Sequence, residues 1–200
     1  MKKTISGILA GILISIGGTV FLSVEPKYVG AILFSVALLC ICFKGYSLFT
    51  GKIGFIPEKH GKEEWSVLLL GLLGNAIATI VCGIGIRYIL PAVGDTAETI
   101  CLAKLEQTFP AALIRGIFCG ILMYLAVSIF REHKTIAGIV FCIPVFILCG
   151  FEHSIADMFY FAASGIVSVK AFVFILIIIV GNAIGGMLFP VLSGALKKNQ

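Results

Sequence analysis

Six apolar runs, each nearly free of charge, occupy most of the 200 residues: Ile5–Ser23, Tyr28–Phe43, Val67–Ile86, Ala111–Phe130, Ile136–Phe151 and Ala171–Pro190. A helix needs about 20 predominantly apolar residues to cross a bilayer. In lipid every backbone polar group must be satisfied internally, which leaves helices or closed barrels. The runs predict an all-α integral membrane protein with six transmembrane helices. Only 12% of the residues are charged, against about 25% in a soluble domain, and the mean hydropathy is +1.12. The runs leave no room for a separate soluble domain, so residues 1–200 read as one transmembrane transport domain. In a soluble protein a net charge of +5 would suggest nucleic acid. Here the basic residues fall in short loops, where topology explains them better.

The first residues, MKKTISGILAGILISIGG, resemble a signal peptide but lack a clear small-residue cleavage site, so a retained helix is expected. With the N-terminus inside, Lys2, Lys3, Lys52, Lys59, Lys62, Arg131, Lys134, Lys197 and Lys198 are cytoplasmic, and Lys27, Arg87, Lys104 and Lys170 lie outside. That bias places both termini in the cytoplasm, as an even number of spans requires, with the chain in the cell inner (plasma) membrane. The seven cysteines are odd in number and mostly sit in apolar runs, where a free cysteine behaves as a small hydrophobe. Neither a disulfide framework nor a zinc pattern follows.

The second and fifth runs are only about 16 residues long, too short for an unbroken span. Lys44 ends one, before GYSLFTGKIGF; Glu152 and His153 end the other, before SIADMFYFAASG. The halves echo each other in order: GILAGIL (7–13) with GIFCGIL (116–122), YSLF (46–49) with HSIA (153–156), and GNAIATI (74–80) with GNAIGGM (181–187). These displacements of 107 to 109 residues outline repeats over about 5–90 and 108–192. Three spans per half force the repeats into opposite orientations, and interrupted segments at matching positions point to a transport site near the midplane. Irregular backbone in a membrane is tolerated only where protein buries it or water lines it. His153 is the only histidine in an apolar context, and an ionisable residue at membrane depth is a functional candidate by default. The plain alternative is an extramembrane loop after a short fifth span. Glu152 could accept hydrogen bonds or cap backbone N–H groups.

Taken together, GFEHSIADMF (150–159), LFTGKI (48–53), GNAIGG (181–186) and TFPAALIRGIFCGILMYLAV (108–127) resemble the motifs of the formate/nitrite transporter family, over about Gly7 to Leu192. The resemblance implies an aquaporin-like fold with helices two and five interrupted, one pore per subunit, and a homopentamer. The implied substrates are small monovalent weak-acid anions: formate, nitrite, and in some branches hydrosulfide or lactate. By the same resemblance His153 is the central histidine, Thr50 its hydrogen-bond partner, and Lys104 the vestibule lysine. Phe34 with Leu38, and Phe146 with Met123, are the constrictions, and Asn182 is a polar residue of the sixth helix. The chain departs from the family at Gly120, where asparagine is frequent, at Met123 for a small aliphatic residue, and at Asp157 for asparagine. It also begins almost at the first span, without the amphipathic helix of many members. Substrate identity and gating hang on these departures.

The expected function is a channel or transporter for such anions, not an enzyme, with protons and membrane lipid as further partners and no cofactor, metal or nucleic acid. A bare carboxylate is far costlier to move through dry surroundings than its neutral acid. His153, or a water it polarises, could supply a proton at the midpoint; alternatively it stays neutral and only hydrogen-bonds the anion. Asn75 and Asn182 fit helix packing as well as pore lining, because both sit in Gly-Asn-Ala steps. Gly120 is expected to widen the lining and shift preference toward a smaller anion such as hydrosulfide or nitrite. The competing readings are a water or neutral-solute channel of the same architecture, which would not need His153 and Lys104 on one path; a membrane enzyme using Glu152 and His153, which lacks a chemical partner; and a haem carrier, for which one intramembrane histidine is too few.

Overall fold

The computed structural model describes residues 1–198, of which Lys197 and Lys198 are described in their backbone alone. The described residues are helical, without strands: α1 (Lys2–Ser23), α2 (Lys27–Lys44), α3 (Phe49–Lys52) continued by a 3-10 turn (Ile53–Phe55), α4 (Lys62–Ile89), α5 (Pro91–Leu105), α6 (Phe109–His133), α7 (Ala137–Leu148), α8 (Ser154–Ser164) and α9 (Val169–Lys198). Five of them, α1, α2, α4, α6 and α9, are long and apolar enough to cross a bilayer alone; α2 departs from the expectation of a run too short to span, because the helix takes in Lys27 and Lys44 and reaches 18 residues. The fifth run is instead split, with α7 only 12 residues long and α8 following the interruption. The apolar character runs all round the long helices, because lipid and protein interior are equally apolar.

Helix association in such a medium depends on close packing of small residues. In the buried stripe of α1, Gly18 lies against Phe159 of α8, and Gly7 and Gly11 lie against Gly71 and Asn75 of α4. The same relation joins α6 to α9. At Gly120 an added Cβ would meet the carbonyl of Asn182, with Gly186 N at 2.8 Å and Asn182 Cα at 2.9 Å. Gly120 therefore closes the α6–α9 crossing and faces α9 backbone. The expectation that it widens a pore lining does not hold, since backbone already fills the space its missing side chain leaves.

Both breaks open in the same way. Gly45 and Gly150 take left-handed φ values of 68° and 67°, which glycine adopts without a Cβ clash. At the first, Tyr46 N–H donates to Ile41 O (3.0 Å) and Gly45 N–H to Cys42 O (3.3 Å); at the second, Phe151 N–H donates to Phe146 O (2.9 Å) and Gly150 N–H to Ile147 O (3.1 Å). Each is the paired hydrogen-bond closure of a Schellman motif. Three residues after the glycine, Leu48 and His153 occupy the N-cap positions of α3 and α8. The breaks thus correspond at a displacement of 105 residues, Gly45 to Gly150. The 107 suggested by YSLF and HSIA is corrected by two residues, because the hydrogen bonds follow the glycine and not the letter similarity. Leu48, and not Tyr46, is the counterpart of His153.

The missed element is α5. Its buried residues Val93, Ala97 and Cys101 are spaced by four, and Lys104, three further on, continues that inward face. Pro91 at its first turn is a start signal. The charges gather into groups: Lys3 pairs with Glu63 (2.8 Å), Lys52, Arg131 and Lys134 line one cavity, Lys104 joins Glu152 and Lys170 approaches Glu106 (3.6 Å). The Lys197 and Lys198 side chains used in the topology count lie outside the described residues.

Candidate functional site

The two breaks meet. Thr50, on α3, places Oγ1 2.8 Å from His153 Nε2, and both residues are almost wholly buried. The other ring nitrogen, Nδ1, accepts the Ala156 backbone N–H at 3.1 Å, so the histidine caps α8 as an Asn or Asp would cap an ordinary helix. A nitrogen facing an N–H donor carries no proton, which puts the ring hydrogen on Nε2, donated to Thr50. The Thr50 hydroxyl keeps its own hydrogen to donate elsewhere. A second ring proton, on Nδ1, would point at the Ala156 N–H and cost the cap. Phe146 stacks on the imidazole, with ring centroids 5.7 Å apart and planes 18° apart.

Two asparagines hold the interrupted backbone. Asn182 Nδ2 donates to Gly116 O and Glu152 O, both at 2.8 Å, and Oδ1 accepts the Ser154 N–H at 2.8 Å. Asn75 does the same in the first half: Nδ2 donates to Gly7 O (2.8 Å) and Ser47 O (2.9 Å), and Oδ1 accepts the Phe49 N–H (3.0 Å). Neither asparagine is exposed. Each amide bridges the long helices on either side of its break and satisfies two backbone groups within it. Such groups, left unpaired at membrane depth, cost several kcal/mol each by general estimate, of order ~4.

On the α5 side, Lys104 is bonded to Glu152 and lies 3.0 Å from Asp157 Oδ1. Gln107 Nε2 donates to the other Glu152 oxygen at 2.6 Å, and the lysine sits 5.8 Å above the Tyr160 ring. The Lys104 side chain is 13% exposed, and those of Glu152 and Asp157 3% and 1%. One cation thus faces two buried carboxyl groups. Among the described residues Asp157 Oδ2 has no hydrogen-bond partner.

Of the other candidates, Leu38 lines a cavity at the end of α2, while Phe34 lies across α1, 3.3 Å from a Cβ built at Gly17. Met123 is 1% exposed. The structure brings Thr50, His153 and Phe146 together, and Lys104 with Glu152. The Asn182 side chain bonds backbone, and Gly120 packs against it. Sequence reasoning missed Gln107 and the charge partnership of Asp157; the available signal was an acid in the first turn of α8, four residues past His153.

A family model described as formate/nitrite transporter matches residues 1–195. The nitrite transporter NirC of Escherichia coli is 28% identical over 167 residues, covering 76% of this chain and 62% of that protein. The formate channel FocA of Haemophilus influenzae is 29% identical over 150 residues, covering 66% and 52%. The chain thus spans about three fifths of the length of the first of these relatives. Among solved structures, a pentameric formate channel with formate bound superposes with a TM-score of 0.79 at 25% identity, covering 100% of this chain and 97% of that one. An ion channel of the same family gives 0.78 at 21% identity. With a family match running almost end to end and the helical architecture shared, this chain belongs to the formate/nitrite transporter family.

Proposed function

We propose that the protein conducts small monovalent weak-acid anions, formate, nitrite or hydrosulfide, across the membrane, along a path past the junction of its two breaks. The observation that carries this reading is the Thr50–His153 hydrogen bond, which joins the two interrupted segments where Phe146 stacks on the imidazole. The halves are inverted repeats, about 5–90 and 108–192, with six spans once α7 and α8 are taken together. Both termini are cytoplasmic, and five copies assemble in the inner membrane, as the solved relative's pentameric state suggests.

His153 acts here as a neutral hydrogen-bonding group. Its Nε2–H polarises the Thr50 hydroxyl, whose hydrogen then meets the anion, and the proton that lets the substrate cross as neutral acid comes from the aqueous mouths. That division suits a ring whose Nδ1 is held by Ala156: charging it would cost the α8 cap. Phe146, Leu38, Phe34 and Met123 narrow the path, Lys104 and Glu152 fix the second break from the α5 side, and Asn182 holds its backbone.

The test is uptake into proteoliposomes of formate, nitrite, hydrosulfide, lactate and chloride, alongside osmotic water permeability. Saturable entry of at least one weak-acid anion, well above chloride and above empty vesicles, is expected. Water permeability with no anion entry would replace this reading with a neutral-solute channel.

A further inference from the structure

Three cations without acidic partners share one cavity at the mouth opposite Lys104. The cavity, of about 370 Å³, lies between the C-terminal ends of α2 and α6 and the first break; Lys52, Arg131 and Lys134 line it, with Leu38, Cys42 and Leu48 among its apolar walls and no Asp or Glu. Among the described residues none of the three forms an ion pair with a carboxylate. Arg131 is fixed with its guanidinium 3.9 Å from the centre of the Phe55 ring, and Lys52 is half-buried on α3. Glu63 and Glu64 line a neighbouring cavity that shares Lys52 and Arg131; Glu63 pairs with Lys3 at 2.8 Å, and among the described residues Glu64 forms no ion pair with Lys52 or Arg131. Helix C-termini favour basic residues, which accounts for Arg131 and Lys134 at the end of α6. Lys52 likewise ends α3, but that helix has only four residues and little dipole to complement, and Lys52 is half-buried where Arg131 and Lys134 are exposed.

The two mouths differ in charge. Lys104 faces both Glu152 and Asp157, so its field is cancelled before an anion arrives. The other mouth presents three cations to a concave, low-dielectric wall, which focuses the field and raises the local anion concentration. Leu48, in that wall, caps α3, and Thr50 two residues later bonds His153.

We propose that this cavity is a binding site for a small hydrated monovalent anion, where Lys52, Arg131 and Lys134 capture the substrate ahead of the His153 junction. The site rests on the transport reading for its purpose, but its occupancy is measurable without transport. A phosphate headgroup shares the anionic chemistry, so the measurement uses vesicles of phosphatidylcholine alone and compares vesicles containing phosphatidylglycerol.

The native thiol of Cys42 reports on the cavity. Wild-type protein is treated with a sulfonate or a trimethylammonium methanethiosulfonate, and the rate at Cys42 is read by peptide mass spectrometry with Cys40 as internal control. The sulfonate reagent is expected to outpace the cationic one, and formate to slow it. Combined Lys52→Gln, Arg131→Gln and Lys134→Gln is expected to lower the rate ratio at least about tenfold and to abolish formate protection, while Lys52→Arg retains both. A ratio unchanged by the triple substitution, or no protection by formate, overturns the proposal. Protection only by phosphatidylglycerol assigns the cavity to lipid and overturns it too. The same samples are assayed for uptake: intact wild-type uptake with a negative Cys42 result sinks this site alone, and no uptake of any anion sinks the transport reading alone.

Discussion

At the scale of single residues, the site is a chain of hydrogen bonds in which each atom's role follows from its neighbour. Ala156 N–H fixes His153 Nδ1 as acceptor, so Nε2 donates to Thr50. Thr50→Val keeps the shape and removes the oxygen, leaving a buried N–H unpaired. Stability should fall by about 1–3 kcal/mol, measured by thermal unfolding in detergent, with anion flux falling alongside. The Lys104 cluster gives a pair of opposite expectations. Lys104→Met strands two buried carboxyl groups and should cost roughly 3–5 kcal/mol, as breaking a buried ion pair does. Asp157→Asn leaves one cation to one carboxylate and should raise the melting temperature at neutral pH. A fall for Asp157→Asn would mean that both carboxyls are needed to hold Lys104.

At the scale of elements, the two breaks are built to one plan: a left-handed glycine, a Schellman closure, an N-cap three residues on, and an asparagine from the last long helix of the half. Asn75→Ala and Asn182→Ala should therefore destabilise similarly, each by at least about 2 kcal/mol, read as paired melting curves. A loss confined to Asn182 would contradict the shared plan. Nothing lies within 4 Å of a Cβ built at Gly45, so Gly45→Ala meets only backbone strain, about 1–2 kcal/mol. Much of this was legible in the chain. The apolar runs placed the long helices, and the Gly-Asn-Ala steps paired the asparagines. The register of the breaks was not, because YSLF and HSIA look alike while the geometry follows Gly45 and Gly150. Helix α5 escaped notice because Asp95, Glu98 and Lys104 lower its hydropathy, although Val93, Ala97 and Cys101 carry its periodicity. Lys104 beside Asp157 required the fold, since α6 and α7 intervene between them in sequence.

Across the whole molecule, the halves share a backbone plan but not a chemistry. Leu48 and His153 cap equivalent helices, one apolar and one polar, so a single histidine serves a junction made by both halves. The charges are as unequal: one lysine held between carboxyl groups at one end, and three cations around a cavity at the other. The asymmetry fits an anion path with a capturing mouth and a structurally braced one. Apolar side chains remain exposed along α4 and α9, among them Ile80, Ile84, Phe172 and Leu176, available to lipid and to neighbouring copies in the proposed pentamer. Reconstituted protein should accordingly sediment as a single oligomer of five chains; a stable monomer would contradict that assembly.

The most direct test of the central claim, that passage depends on the His153–Thr50 junction, is formate uptake by wild type and by His153→Ala in proteoliposomes matched for oligomer content. Wild-type protein should show rapid, saturable uptake that the substitution abolishes or converts into simple, unsaturable anion conductance. Saturable uptake unchanged in a correctly assembled His153→Ala protein would contradict that claim.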